Sequence, residues 1–212
     1  YNYFYARHLD NKGQKIEARK IIKKALNKYP RNLILNQYEV NLEFRKNFSD
    51  FNCSNKVEIV AELLYIAANA LSSQSYFQTS NFYLNFSKYL NKNFYSFDTL
   101  LAENFYKIGN FKKAKKIYNK LSKYGDAFNW YSSKQLTRIF IQQKNKTEAL
   151  SLLEKSYNGL LIKGIYETFD YAEFLKNNEK FKESIPFYSK IIKQVTKDHP
   201  LYAEAMDGRG IA

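Results

Sequence analysis

One segment decides the fold: residues 109–121 read GNFKKAKKIYNKL. A turn at its first two residues is followed by a small residue, Ala114, and then by the bulky residues Tyr118 and Leu121 at helical spacing. Small residues let two helix axes approach closely, and bulky residues three or four positions away fill the groove beside them. The segment therefore predicts the turn and the second helix of a tightly packed helical hairpin.

The same pattern recurs along the chain at a nearly constant interval. The small position of the second helix is occupied by Ser80, Ala114, Ala149 and Ser184, at spacings of 34, 35 and 35 residues. The small position of the first helix is occupied, in the same order, by Ala68, Ala102, Thr137 and Ala172. Sequence periods of this size are typical of solenoids, in which each unit buries its apolar face against its neighbours.

These segments resemble the tetratricopeptide repeat, a helix–turn–helix of about 34 residues. The resemblance is clearest at 13–30, which read GQKIEARKIIKKALNKYP, and at 109–121. It implies an all-α fold, a right-handed α-solenoid of tetratricopeptide-like helix–turn–helix repeats, forming one domain over residues 1–212. We expect antiparallel helix pairs at 57–72/75–91, 97–108/111–123, 131–143/147–157 and 166–177/181–194.

Two further segments carry a narrower resemblance. Residues 53–71 (CSNKVEIVAELLYIAANAL) and 199–212 (HPLYAEAMDGRGIA) resemble an uncharacterised alphaproteobacterial tetratricopeptide repeat family, whose members are longer and usually exported. This resemblance implies a periplasmic or outer-membrane-associated location, with the cytoplasm as the alternative. Because the chain starts without Met and ends inside a predicted first helix, we expect a fragment cut at both ends. Uncapped repeat ends of this kind would promote self-association.

The regular pattern is interrupted between residues 47 and 56. A single helix is expected from Asn32 to about Lys46, and the segment after it, NFSDFNCSNK, is rich in turn residues. This segment is either a shortened second helix or an irregular connector. The next helix should begin near Asn55, because Asn55 can cap its first turn and Glu58 can bond back to the cap.

The net charge of +14 comes mainly from lysines. A charge of this size is typical of proteins with an anionic partner. The alternative is genome composition, because Lys, Asn, Tyr, Phe and Ile share A/T-rich codons that produce such a charge without any anionic partner. The lysines also spread over helix surfaces, as in the run at 112–116, where a solvated face is their usual role. No apolar stretch approaches the roughly 20 residues that a membrane-spanning helix needs.

Catalytic motifs are nearly absent from the sequence. His8 and His199 lie at opposite ends of an extended fold, and Cys53 has neither a second Cys nor a neighbouring His at metal-ligand spacing. No glycine-rich phosphate loop is present. We therefore expect no enzymatic activity, no metal and no cofactor, because an active site needs mutually oriented acid, base or nucleophile groups.

The first helix of each pair is expected to line the concave surface of the solenoid, where repeat proteins bind partners. Tyrosines, charged residues and amides are expected to project from these helices. They are Tyr65, Asn69, Thr99, Glu103, Tyr106, Tyr131, Lys134, Arg138, Tyr166, Phe169 and Glu173. This mixture is typical of protein-binding hot spots, although each tyrosine equally fits packing between repeats.

Two functions are compatible with such a groove. The leading hypothesis is a non-catalytic scaffold that binds a protein or peptide partner. The alternative is an RNA-binding helical repeat, because related helix pairs of about 35 residues read one base per repeat. The groove positions do not repeat a consistent base-reading pair, so nucleic acid is the less favoured partner.

Overall fold

The computed structural model describes residues 2–44, 55–93 and 95–212, and these residues form helices and no strand. The predicted all-α fold is confirmed. In chain order the helices are α1 (Asn2–Asn11), α2 (Lys15–Lys28), α3 (Leu33–Phe44), α4 (Lys56–Ser73), α5 (Phe77–Leu90), α6 (Ser96–Lys107), α7 (Phe111–Leu121), α8 (Asp126–Gln142), α9 (Lys146–Asn158), α10 (Ile165–Asn177), α11 (Phe181–Gln194) and α12 (Pro200–Ile211).

The four predicted helix pairs are confirmed as α4–α5, α6–α7, α8–α9 and α10–α11. The largest difference is at α8, which begins at Asp126 rather than at residue 131. Gly125 has φ 152°, a conformation that side chains disfavour, and it lets the chain turn directly into the helix. Asp126 then places a carboxylate in the first turn, where the helix dipole stabilises it.

The turns explain how the repeat persists without glycine at every turn. A residue with φ between 60° and 79° follows the first helix of each pair, and these residues are Gly13, Ser75, Gly109, Lys144 and Glu179. In each turn the next backbone N–H bonds to the carbonyl five residues earlier, as from Asn110 to Phe105 and from Asn145 to Phe140, both at 2.8 Å. This bond closes the helix end and holds the left-handed residue in place.

The small positions of the repeat are buried, as predicted. Each of Ala68, Ser80, Ala102, Ala114, Ala149, Ala172 and Ser184 is fully inaccessible to solvent. The two serines fit because their hydroxyls find partners: Ser80 Oγ donates to Ala68 O, and Ser184 Oγ donates to Phe181 O, both at 2.7 Å. A hydroxyl that returns its hydrogen bond to the backbone can replace a methyl group at a close helix contact.

The start of α4 follows the prediction in part. Asn55 caps the helix, since its side chain accepts a hydrogen bond from the backbone N–H of Val57 at 3.0 Å. Glu58 bonds to the Asn55 side-chain amide at 3.0 Å. The predicted connector at 47–56 falls largely outside the described residues. None of the described helices has the length and apolarity needed to cross a bilayer.

The helices from α4 to α12 stack in sequence order as a tetratricopeptide-like solenoid. The three N-terminal helices, which we call the N-terminal unit (residues 2–44), do not continue that stack. Instead α3 packs against α8, while Phe4 and Ile34 pack against the apolar core shared by α4, α5 and α6. The chain therefore departs here from the serial stacking that the sequence predicts.

A polar contact accounts for the close approach of α3 and α8. The buried Gln37 side chain accepts a hydrogen bond from the backbone N–H of Ala127 at 3.1 Å, in the first turn of α8. It also donates to Asn41 at 2.9 Å. Gly125 leaves the space for this side chain, because a Cβ at that position would overlap the Gln37 amide. Gln37 thus satisfies one of the free N–H groups at the helix start.

Candidate partner-binding groove

The predicted groove residues all lie on the first helices of the pairs, which together form what we call the first-helix face (α4, α6, α8, α10 and α12). They differ in exposure. Asn69 and Arg138 are exposed, whereas Phe169 is only 7% exposed. The structure divides this face into a part that the N-terminal unit covers and a part that stays open.

In the covered part, an ion-pair cluster links the N-terminal unit to α8 and α10. The Asp170 carboxylate on α10 accepts hydrogen bonds from Arg31, just before α3, and from Lys134 on α8. The Arg31 guanidinium also lies 5.3 Å from the centre of the Tyr166 ring. A planar cation between a carboxylate and an aromatic ring gains from both contacts.

The same cluster borders a small cavity of about 120 Å³ between α3, α8 and α10. Glu167 lines it, and burial raises the pKa of this carboxyl above its ordinary value. The neighbouring Asp170 charge raises it further, while Lys134 and Arg31 lower it. Because burial is the largest of these effects, the pKa of Glu167 stays raised despite the two nearby cations.

Tyr131, a predicted groove residue, is committed to contacts inside the fold. Its hydroxyl donates to Glu103 on α6, and its ring meets Tyr118 edge-on at 6.1 Å. Burial raises the pKa of Tyr131, and the Glu103 charge adds to the rise. Tyr131 therefore joins adjacent helix pairs, which is the packing role that sequence reasoning left open for these tyrosines.

Phe169 and Tyr65 also contribute to packing. Phe169 belongs to the core formed with Ala172, Tyr188 and Leu201, so its predicted place in the groove is corrected to an interior one. Its side chain packs toward α11 and α12, which contribute Tyr188 and Leu201 to that core. Burial raises the pKa of Tyr65 to about 12, and its ring lies 5.4 Å from that of Phe97.

The open part of the face is a cleft between α8 and α10, with a cavity volume of about 630 Å³. We call it the open cleft. Its lining combines polar and apolar side chains. We call the polar lining residues the rim (Tyr106, Lys134, Arg138, Gln142, Glu173 and Asn177) and the apolar ones the floor (Ile141, Leu153 and Phe174). A volume of this size is typical of pockets that hold ligands.

The side chains of the rim hold one another in place. The Arg138 guanidinium lies 5.0 Å from the centre of the Tyr106 ring and donates to Gln135 at 3.1 Å. Gln142 donates to the Tyr106 hydroxyl at 2.8 Å. On the other side, Glu173 accepts from the Tyr188 hydroxyl at 2.5 Å and from Lys176 at 2.7 Å. The cleft therefore presents polar groups whose positions are largely fixed.

Sequence reasoning identified Tyr106, Lys134, Arg138 and Glu173 but missed Asp170 and Asn177. The missed residues follow Tyr166 and Glu173 at helical spacing, so the period of α10 alone would have pointed to them. Arg31 and Gln37 could not be found this way, because they belong to a segment that reaches the face from elsewhere in the chain. Within the described chain, no cluster of His, Cys, Asp and Glu side chains could hold a metal ion.

No protein-family model and no curated protein matches the sequence. Among solved structures, the chain is similar to YrrB, a TPR protein with an unusual peptide-binding site, at 14% identity over 90% of this chain and 80% of YrrB, with a TM-score of 0.45. It is similar to a tetratricopeptide repeat protein from Parabacteroides merdae at 15% identity over 98% and 69% of the two chains, with a TM-score of 0.49.

A third similar structure is the human IFIT1 dimer with m7Gppp-AAAA, at 15% identity and a TM-score of 0.42. The alignment spans 99% of this chain but only 45% of the IFIT1 chain. Identity and structural overlap are low in all three cases. The fold assignment therefore rests on the helix pairs of this chain itself.

Proposed function

We propose that this protein is a non-catalytic scaffold that binds an extended segment of a protein or peptide partner in the open cleft. The observation that carries the proposal is the cleft itself, a cavity of about 630 Å³ with a fixed polar rim and a partly apolar floor. Pockets of this composition use the apolar area for affinity and the few polar groups for orientation. The N-terminal unit covers another part of the first-helix face, at α8 and α10.

The rim has the chemistry that a peptide backbone requires. Asn177 offers one acceptor and two donors, and Gln142 offers its acceptor and the donor that is not bonded to Tyr106; these groups match the N–H and C=O groups of an extended chain. Arg138 adds guanidinium donors, and its contacts with Tyr106 and Gln135 hold it in a limited set of orientations. Side chains that are ordered before binding lose less conformational entropy when the partner arrives.

The charges of the cleft favour a peptide over RNA. Lys134 is paired with Asp170, and Glu173 lies on the same rim, so the cleft is not uniformly positive despite the net charge of +14. RNA binding depends on cations that neutralise phosphates, and each nearby carboxylate opposes it. No histidine or cysteine is among the described residues that line the cleft, and His199 instead caps α12 by accepting a hydrogen bond from the Leu201 N–H.

The test is selection of a binding peptide and measurement of its affinity. The immobilised 212-residue chain is used to select sequences from a displayed random-peptide library, and one selected peptide is titrated by fluorescence anisotropy. We expect Arg138→Ala and Asn177→Ala to weaken binding about tenfold or more, as at interface hot spots. Lys182→Ala, an exposed position on α11 away from the cleft, serves as the matched control.

A salt series separates peptide binding from RNA binding. Peptide affinity should change little with salt, whereas RNA held by several phosphate contacts would lose about a thousandfold between roughly 50 and 200 mM salt. The RNA probe is a short single-stranded oligonucleotide. Sub-micromolar RNA binding at physiological salt that Lys134→Glu abolishes and Tyr106→Ala leaves intact would overturn the proposal. The proposal would also be overturned if none of the selected peptides binds more weakly to the Arg138→Ala variant.

A further inference from the structure

The small cavity between α3, α8 and α10 is a second space in the fold, distinct from the open cleft. Its volume is about 120 Å³, and we call it the inner cavity. Arg31, Lys134 and Asp170 line both spaces, so their ion-pair cluster lies between the two. A single water molecule needs only roughly 10–15 Å³ of such space, so the inner cavity has room for a small organic group.

On its other side the inner cavity adjoins a groove between the N-terminal unit and α10. This groove has a volume of about 630 Å³, and we call it the side groove. Four residues line both the inner cavity and the side groove: Asn36, Glu39, Tyr166 and Glu167. A ligand therefore has room to place one end in the inner cavity and the remainder in the side groove.

The inner cavity is acidic, although the chain as a whole is strongly basic. Its lining includes two basic side chains, Arg31 and Lys134. The acidic side chains of the lining are Glu39, Asp126, Glu167 and Asp170. Two basic and four acidic groups leave a formal charge of −2, against +14 for the whole chain. The cavity therefore favours a ligand that brings positive charge.

The protein's own cations do not compensate all of these carboxyls. Arg31 and Lys134 both bind Asp170, and Asp126 accepts a hydrogen bond from the Leu161 N–H at 3.2 Å. Within the described chain, neither Glu39 nor Glu167 forms an ion pair.

Burial is the main cause that raises the pKa of the two remaining carboxyls above its ordinary value. Lys23 lowers the pKa of Glu39, and Lys134 and Arg31 lower that of Glu167, but these effects are smaller than that of burial. A carboxylate with a close cation usually has a lowered pKa instead. The ionised forms of Glu39 and Glu167 thus lack the positive partner that their buried position requires.

Aromatic rings complete the lining of the inner cavity, namely those of Trp130, Tyr131 and Tyr166. The Arg31 guanidinium lies 5.3 Å from the centre of the Tyr166 ring, and the Lys134 ammonium lies 5.6 Å from that of Trp130. Ring faces attract cations through their electron density, and such rings recur in sites that hold organic ammonium ligands. Carboxyls and aromatic rings in one cavity therefore select for an organic cation.

We propose that the inner cavity binds a primary alkylammonium group, with its ammonium at Glu167 and Glu39 and its hydrocarbon chain against the aromatic rings. A primary ammonium offers three N–H donors to the two carboxylates, which a quaternary ammonium lacks. Its charge also supplies the compensation that the protein leaves missing. A free amine and a lysine side chain carry this same group. The site is independent of the open cleft and of the function proposed for it.

Trp130 makes the proposal directly measurable, because it is the single tryptophan of the chain and lines the inner cavity. Its fluorescence is followed while the 212-residue chain is titrated with n-butylammonium, butan-1-ol or butyrate at constant ionic strength. We expect n-butylammonium to bind with a dissociation constant of about 1 mM, a realistic value for so small a ligand. The neutral and anionic probes should bind at least about tenfold more weakly. Equal binding of either, or no binding of n-butylammonium, would overturn the proposal.

Two variants separate recognition of charge from integrity of the fold. Glu167→Gln keeps the shape of the side chain but removes its charge, so n-butylammonium should bind at least about tenfold more weakly. Glu204→Gln, at an exposed position on α12, removes the same charge and should bind as the wild type does. Thermal melts confirm that both variants are folded at the temperature of the titration. Wild-type affinity in folded Glu167→Gln would contradict the proposed site.

A capped lysine, Nα-acetyl-lysine amide, identifies the source of the ammonium group. If it binds at least as tightly as n-butylammonium, the ligand is a lysine side chain whose backbone occupies the side groove. If n-butylammonium alone binds, the ligand is a free amine. Where both bind, each should displace the other, because the inner cavity holds one ammonium group. Simultaneous binding of the two probes would contradict a single site.

Discussion

At the scale of single residues, the solenoid depends on close contacts between neighbouring helices. The buried Asn104 shows how one side chain at such a contact combines packing with hydrogen bonding. Its amide donates to Ser80 at 2.8 Å and to Asn81 at 2.9 Å, and its oxygen accepts from Ser72 at 2.6 Å. One side chain thus joins α4, α5 and α6, and each of its bonds would leave a buried polar group unpaired if lost.

Gly208 and Gly210 on α12 offer a direct test of close packing. A Cβ at Gly208 would lie 2.5 Å from Tyr188 Cζ, and the tyrosine ring is fully buried, so it has no room to move. We expect Gly208→Ala to destabilise the fold by about 1–3 kcal/mol. A Cβ at Gly210 meets nothing within 4 Å. Gly210→Ala should therefore stabilise α12 by up to about 1 kcal/mol through helix propensity. Thermal melts that show equal effects would contradict this assignment.

Glu167 predicts a specific dependence of stability on pH. Burial raises its pKa above the ordinary value of 4.5, so at pH values between 4.5 and the folded pKa the folded protein binds more protons at this site than the unfolded chain does. The free energy of unfolding should then fall as the pH rises from 4.5 through the folded pKa. Glu167→Gln removes this loss, so the variant should have a higher melting temperature than the wild type at pH 7 but not at pH 4. The corresponding gain in the free energy of unfolding at pH 7 is about 1.4 kcal/mol for each unit by which the folded pKa is raised. Glu204→Gln, at an exposed position on α12, is the control, and an equal gain at both pH values would contradict the prediction.

At the scale of helices and turns, most of the fold follows from the sequence. Correlated small and bulky positions predict the four pairs because close helix packing requires both, and a period near 35 fixes their order. The missing turn glycines did not interrupt the pattern, since Ser75, Lys144 and Glu179 adopt the same left-handed conformation. The start of α8 was misplaced because the turn at Gly125 lies outside the repeating pattern.

The left-handed turn residues predict a gain in stability from glycine. A non-glycine residue in this conformation carries a strain of about 1–2 kcal/mol, which glycine avoids. We expect Lys144→Gly to stabilise the chain by about 1 kcal/mol, and Gly109→Ala, the equivalent position one repeat earlier, to destabilise it by a similar amount. Urea unfolding of both variants measures the two changes. A loss of stability in Lys144→Gly would show that the lysine side chain contributes more than its backbone strain costs.

At the scale of the whole molecule, the sequence pattern could not locate the N-terminal unit. Periodicity reports which face of a helix is apolar, but it does not report which distant helix will cover that face. The contacts that bring α3 to α8 depend on single polar residues, Gln37 and Arg31, that belong to no repeat. Tyr131 and Tyr166 were correctly placed on first helices, yet their contacts with Glu103 and Arg31 became visible only in three dimensions.

The docking of this unit divides the first-helix face and so determines where a partner can bind. The contact between α3 and the solenoid includes apolar packing of Leu33 and Ile34, an ion-pair cluster and a hydrogen bond to a helix start. Its polar part is the part that a change of charge weakens. Arg31 is about half exposed, at 49% of its side chain, so it lies at the edge of the contact. Reversing its charge should therefore loosen the N-terminal unit without disturbing the core of the solenoid.

Hydrogen exchange measured by mass spectrometry tests this separation. In Arg31→Glu the new carboxylate faces the Asp170 carboxylate and repels it. The amides of α3 and of the first half of α8 should then exchange at least about tenfold faster, which corresponds to a loss of roughly 1.4 kcal/mol in the free energy of opening. Exchange in α11, which the unit does not contact, should stay unchanged. Lys20→Glu makes the same charge reversal on the exposed side of α2, where Lys20 pairs with Glu17 at 2.8 Å, and it should leave both regions protected. If Arg31→Glu accelerates exchange equally in α8 and α11, the ion pair stabilises the whole fold, and the N-terminal unit does not separate on its own.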